Sequence, residues 1–267
     1  GDYENKRLDS MTQEERREYL LKYLLKEDLR FRGRSMPTGK LAQERLLRAL
    51  MNIRYPKPIS EEFLKVQDSY LMERAIERGI TDLTELKPVE SDGRLYIWQG
   101  DITTLKCDAI VNACNSQMLG CFYPLHGCID NFIHTYAGIE LRLKMQELMV
   151  KQGHEEEVGK AKITSGYNLP AKYILHTVGP RIQRFVSRKD EELLASCYRE
   201  CLKLAADTGV ESIAFCCIST GVFGFPQDKA AEIAVQTVRE FSENHDIEVI
   251  FNVFKDADYE IYRQLLR

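Results

Sequence analysis

The sequence predicts an α/β protein: a mixed, mostly parallel sheet with helices on both faces, preceded by a helical extension. Three observations carry this expectation. From residue 91 onward, short apolar runs alternate with amphipathic stretches of helical period, the pattern of a sheet layered with helices. Residues 1–90 show helical periodicity alone, with charge on the outer faces. And 267 residues, 44% hydrophobic and 29% charged, are enough to bury one large core with an appendage beside it.

In the extension, Thr12 and Glu15 form a capping box, and Leu20, Tyr23, Leu24 and Leu25 follow at helical spacing, so a first helix runs through "TQEERREYLLKYLLKED". A second follows Thr38 through "LAQERLLRALMNI". A third starts at Ser60 and stops at Gly79, where a left-handed cap is natural. After "KPVESDG" the period changes. "RLYIWQ" and "DAIVNA" read as strands, residues 129–150 as one helix, "AKITSGY" and "KYILHTV" as strands, and residues 190–207 as a helix. "SIAFCCI" is then a strand, 228–242 a helix, "IEVIFNVF" a strand and 257–266 a closing helix. Ligands of such sheets sit beyond the carboxyl ends of the strands, where loops meet helix N-termini.

A net charge of −4 argues against broad, charge-driven binding to nucleic acid or to an anionic membrane. No segment approaches the ~20 apolar residues of a membrane span, and the first residues are charged, so the expectation is a soluble, cytoplasmic chain with no secretory signal. The eight cysteines are even in number, yet a chain of this size with its own core needs no disulfide framework. Cys197, Cys201, Cys216 and Cys217 lie on a helix and a strand and read as core filling, and His176 as a satisfied core histidine.

Three loops after strands carry unusual residues. In "ISTGVFGFP", Ser219, Thr220, Gly221 and Gly224 stand between an apolar strand and a helix. Glycines there let a backbone approach a ligand, and consecutive N–H groups make an anion nest, so the loop reads as a diphosphate cradle or as an ordinary strand-to-helix turn. Asp101, after a glycine at a strand exit, reads as a turn aspartate capping its own backbone or as a carboxylate that accepts from an adenine amino group. Phe254, ending the last strand, is either core or an aromatic face for the same base.

Taken together, "QGDITTLKCDAIVNACN", "CIDNFIH", "FCCISTGVFGFP" and "EVIFNVFKDADYEIYRQLL" resemble, in order, the motifs of the macrodomain, the ADP-ribose-binding fold, from Gly93 to the C-terminus. The resemblance implies a three-layer α/β/α domain over residues 91–267 with its ligand cleft across the strand ends. It implies that Asp101 and Ile102 hold adenine, that Ser219, Thr220, Gly221, Val222, Phe223, Gly224 and Phe225 hold the diphosphate, and that Asn115 holds the distal ribose. It also counts Ile129, Asp130 and Asn131 among the ligand-binding residues.

One stretch departs from the common hydrolytic pattern, in which glycines lie between the residues aligned with Asn115 and Asp130. Here the run is "GCFYPLHGC", which resembles the zinc-containing macrodomains of microbes. Cys121, His126 and Cys128 are soft and borderline donors, and Gly120, Pro124 and Gly127 let the loop fold back on itself. Three protein ligands leave a fourth position open, the mark of a catalytic zinc site. The plain alternative is three unrelated residues. Cys114 and His134 are alternative fourth ligands, with His134 more naturally packed inward beneath the loop.

The function this implies is a zinc-dependent hydrolase that removes mono-ADP-ribose from an acidic side chain of a modified protein, with one Zn2+ per chain and with Asn115 and Asp130 as catalytic residues. Two other readings use the same cleft: a reader that binds ADP-ribose without turnover, and an O-acetyl-ADP-ribose deacetylase. By resemblance alone, the partner is a lipoyl-carrier protein like the glycine cleavage H protein. The extension reads as a stabilising cap on the sheet or as an aid to presenting the protein substrate.

Overall fold

A computed structural model describes residues 7–267, so the first six residues of the expected extension lie outside the described residues. Among the described residues the extension holds three long helices: α1 (Gln13–Glu27), α2 (Lys40–Ile53) and α3 (Glu61–Arg78). Their ends fall where local chemistry puts them. The Thr12–Glu15 capping box is present in both directions, and Ser60 accepts from the Phe63 amide. Gly79, at φ 88°, closes α3. Leu20, Leu21, Leu24, Leu47, Leu50, Phe63, Val66 and Tyr70 form a separate buried cluster that takes in Ile139 of the following domain.

Beyond it lie β1 (Thr81–Asp82), β2 (Leu95–Gln99), β3 (Leu105–Lys106), β4 (Ala109–Ala113), α4 (Ile129–Ala137), α5 (Ile139–Gln152), β5 (Ala161–Ser165) and β6 (Tyr173–Thr177). The chain ends with α6 (Arg188–Thr208), β7 (Ser212–Phe215), α7 (Gln227–Ser242), β8 (Glu248–Val253) and α8 (Asp256–Leu265). The main sheet has six strands in the order β2-β8-β7-β4-β6-β5. All neighbours are parallel except β5, which pairs antiparallel with β6 at the edge. The central strands β4 and β7 are buried along almost their whole length, as strands covered on both faces must be. The expected mixed α/β/α architecture is therefore present, with β1 and β3 as a small parallel pair outside it.

Three details differ from the sequence reading. The single helix expected over 129–150 is two, broken at Gly138 (φ 107°), where a Cβ would meet the Gln67 side chain at 2.7 Å. Gln67 Oε1 instead accepts from the Ile139 amide at 2.8 Å, so a residue of the extension starts α5. "SIAFCCI" ends as a strand at Phe215, because the Ile218 amide turns back to the Cys216 carbonyl. Finally, the extension packs on α4 and α5 through α2 and α3, one layer out from the sheet it was expected to cap. The core reading of Cys197, Cys201, Cys216 and His176 agrees with their burial.

Candidate active site

Strands β2, β8, β7 and β4 run parallel, so the loops leaving their carboxyl ends stand side by side in that order. The first is the Asp101 loop. Its Oδ1 accepts from the Thr103 amide at 2.9 Å, capping a 3-10 turn over Ile102–Thr104, as a turn aspartate does. Its Oδ2 accepts from Arg78 Nη1 at 3.1 Å, and that guanidinium lies 3.4 Å over the Tyr136 ring. About half the Asp101 side chain is still exposed, at 47%, so the carboxylate keeps acceptor capacity toward solvent. The Ile102 side chain is buried. Phe254, after β8, stands beside this loop, where the Gly100 amide donates to the Val253 carbonyl. It is 79% exposed, which rules out the core reading of this residue.

The next loop, after β7, folds on itself. The Phe225 amide donates to the Ser219 carbonyl at 2.9 Å, Gly224 to Gly221 at 3.0 Å, and Thr220 to Cys217 at 3.3 Å. Ser219 and Gly224 take positive φ, 67° and 76°, to make the turn. Among the described residues, the amides of Gly221, Val222 and Phe223 have no protein acceptor. A Cβ on Gly221 would meet nothing within 4 Å, and Gly221 and Val222 are exposed, so the loop is open to solvent here. This narrows the expectation. Phe225 is buried and its amide is used internally, so it anchors the loop, and the Thr220 and Gly224 amides are also spent inside it.

The third loop follows β4. Asn115 is exposed, its Oδ1 accepting from the Gln117 and Met118 amides at 3.2 Å each, while Nδ2 reaches only the Gly120 carbonyl at 3.4 Å. The amide nitrogen is therefore the end left for a ligand. Asp130 sits in the first turn of α4 with its carboxyl turned in to the sheet, where Asn112 Nδ2 donates to Oδ1 at 2.8 Å. Burial pushes this carboxyl up to about 6, against the Asn112 hydrogen bond and the charge of Arg142. Asn112 Nδ2 also lies 3.2 Å from His176 Nδ1, and His176 Nε2 lies 2.9 Å from Thr164 Oγ1, which satisfies the core histidine. Asn131, expected at the ligand, is fully buried; its Nδ2 donates to the Tyr123 carbonyl, so it holds the loop in place.

Cys121, His126 and Cys128 are brought together: their donor atoms all lie within 4.8 Å of one another, and all three residues are half-buried. Cys121 Sγ is 3.7 Å from His126 Nδ1. Two ligands of one tetrahedral zinc ion stand about 3.6 Å apart, given the usual Zn–S and Zn–N lengths, so the donor set fits such an ion in both chemistry and spacing. Burial pushes the Cys128 thiol up to about 12, and the neighbouring Cys121 and Asp130 add to the rise against the hydrogen bond from the Asn131 amide. Neither alternative fourth ligand joins the cluster. Cys114 Sγ is buried and donates to the Thr177 carbonyl, and His134 packs under Gly120, where a Cβ would meet its ring at 2.9 Å.

Sequence reasoning missed the residues that hold these loops. Arg48 and Asn52, an i, i+4 pair on one face of α2, bond the His126 carbonyl and the Leu125 amide. Arg142 of α5 donates to the carbonyls of Leu119, Cys121, Asn52 and Arg54. Asn112 carried a usable signal, a lone amide inside the apolar strand "AIVNA".

A fold of this topology, with three such loops side by side at the strand ends, defines a class, and comparison with known proteins agrees. A family model described as "Macro domain" matches residues 111–234. A relative in Treponema medium called "Protein-ADP-ribose hydrolase" is 54% identical, over 96% of this chain and all of its own length. The solved macrodomain of Oceanobacillus iheyensis with ADP superposes with a TM-score of 0.58 at 42% identity, over 64% of this chain and 88% of that one. The Trypanosoma brucei macrodomain in complex with ADP-ribose gives a TM-score of 0.62 at 31% identity, over 82% and 95% of the two chains. The chain belongs to the macrodomain family.

Proposed function

We propose that this chain, a hydrolase like its close relatives, releases mono-ADP-ribose from an acidic side chain of a modified protein and depends on zinc to do so. One observation carries the reading: the spatial order of the loops, Asp101 then Gly221–Phe223 then Asn115, is the order of adenine, diphosphate and distal ribose along ADP-ribose. The relative from Treponema medium bears the name of that activity.

In this reading Asp101 accepts from the adenine amino group and Phe254 covers the face of the base. The three open amides of the cradle donate to diphosphate oxygens, which needs no side-chain cation. Asn115 Nδ2 donates to a hydroxyl of the distal ribose. Asn112 fixes one oxygen of Asp130, and no protein atom among the described residues hydrogen-bonds the other, Oδ2. Oδ2 then orients the attacking water, or takes its proton, as the carboxylate of the modified side chain departs. Zinc bound by Cys121, His126 and Cys128 would supply Lewis acidity at the ribose end of the cleft.

The acceptor is proposed to be a protein, and a lipoyl-carrier acceptor rests on the family resemblance alone. The test is release of ADP-ribose from a protein mono-ADP-ribosylated on carboxylates, with metal content measured on the same preparation. Tight ADP-ribose binding without release would make the chain a reader, and turnover restricted to O-acetyl-ADP-ribose would make it a deacetylase.

A further inference from the structure

We infer that the helical extension is part of the catalytic apparatus, with Arg48 and Asn52 of α2 acting as positioning residues that fix the Cys121–Cys128 loop. The inference deepens the hydrolase reading and rests on it for its kinetic arm. The loop has no regular structure, and its one internal backbone bond near the cluster joins the His126 amide to the Tyr123 carbonyl at 3.2 Å. Leu125 stands at φ 61°, a region a leucine enters only when its surroundings hold it there. What holds it is Asn52, whose Oδ1 accepts from the Leu125 amide at 2.9 Å. The next carbonyl, that of His126, accepts from Arg48 Nη2 at 2.8 Å, and the same nitrogen donates to Asn131 Oδ1 at 2.9 Å.

These contacts close a circuit. Asn131 Nδ2 returns to the Tyr123 carbonyl at 2.9 Å, and Asn52 Nδ2 donates to Thr135 Oγ1, which donates to the Asn131 carbonyl at 2.8 Å. The Arg48 guanidinium also lies 4.4 Å over the Phe132 ring. The Cys121 end is tied to the same helix less directly, because Arg142 bonds both the Cys121 carbonyl and the carbonyls of Asn52 and Arg54. The imidazole of His126 thus meets the two thiols where α2 places it. A helix that served only to bury apolar surface would need neither polar residue aimed at the loop.

The experiment uses the full chain and three variants: Arg48→Ala, Arg48→Lys and Asn52→Ala. Arg48→Ala should lower kcat on the modified protein by roughly tenfold or more, the loss typical of a supporting contact around a metal ligand. KM and ADP-ribose affinity should stay within about twofold, since those contacts come from other loops, and the melting temperature should stay near that of the parent. Arg48→Lys, which keeps a donor, should recover part of the rate. Asn52→Ala should speed hydrogen exchange at the Leu125 amide by on the order of tenfold. An unchanged kcat in Arg48→Ala together with unchanged exchange in Asn52→Ala overturns the inference. So does a rate loss matched by equal loss of ADP-ribose affinity. If the parent chain releases no ADP-ribose at all, the hydrolase reading fails, and the Leu125 exchange alone decides whether α2 positions the loop.

Discussion

Asn112 of β4 donates to Asp130 of α4 across 2.8 Å, from the middle of the sheet to the first turn of the helix that opens the candidate site. The carboxyl is buried and is held by one oxygen, so its position depends on the sheet and not on the loop before it. Asp130→Asn should therefore leave the fold, the metal content and ADP-ribose affinity close to those of the parent, while turnover falls by about a hundredfold or more. Single-turnover release measured beside calorimetric titration separates the two effects. Full turnover in that variant would remove Asp130 from the chemistry.

Two glycine variants, one within the loop after β7 and one packed against it, have different consequences. Gly221 is not at positive φ, and a side chain there meets no protein atom, so Gly221→Val should fold normally and weaken ADP-ribose binding by roughly ten- to a hundredfold through crowding of the diphosphate. Gly179→Ala, in the segment that follows β6, adds a Cβ that runs into Ser219 Oγ, so it should displace the loop itself and lower the melting temperature. Calorimetry and thermal unfolding of both proteins check this. Unchanged affinity in a folded Gly221→Val protein takes the loop out of the site.

Asp101 does two jobs, and two substitutions divide them. Asp101→Asn keeps an oxygen for the Thr103 amide, so the turn persists while the charge facing Arg78 and the ligand is lost. Asp101→Ala removes the cap as well. Asp101→Asn should weaken ADP-ribose binding by about tenfold with no change in melting temperature, and Asp101→Ala should lower both. Titration with adenosine and guanosine diphosphates completes the test, since a parent protein that binds both equally has no adenine reader at this position.

Elements whose ends are set by their own sequence were legible: the capping box at Thr12, the cap at Ser60 and the glycine stop at Gly79 lie within a turn of the residues they govern. The cluster of Cys121, His126 and Cys128 was legible for a similar reason, because its three donors lie on one short loop. The break at Gly138 was not, since a glycine inside a helix costs only about 1 kcal/mol and its decisive neighbour, Gln67, is distant in sequence. Arg48, Asn52 and Arg78 looked like the solvated faces of amphipathic helices, and only tertiary packing turns them toward the site. The burial of Asn131 and Phe225 was not legible either, because motif membership does not reveal which way a side chain points. Both point into the protein.

If the cluster binds zinc for catalysis, chelation should abolish turnover while ADP-ribose still binds, because the Asp101 loop and the Gly221–Phe223 amides come from other strands. The choice of variant matters here. Cys128 is also the N-cap of α4, its Sγ accepting from the Asn131 amide at 3.4 Å, so Cys128→Ala would weaken the helix start as well as the site. Cys128→Ser keeps an acceptor at the cap and removes the thiolate. It should lose the metal, keep its melting temperature apart from the part that metal binding contributes, and lose more than about a hundredfold in turnover. Cys121→Ser and His126→Ala should behave alike, since two remaining ligands hold zinc weakly. A purely structural zinc gives the reverse order: the loop would loosen, and ADP-ribose affinity would fall together with rate in every metal-free protein. Metal content, affinity and turnover measured on one Cys128→Ser preparation distinguish these cases, and full turnover without metal would end the zinc mechanism.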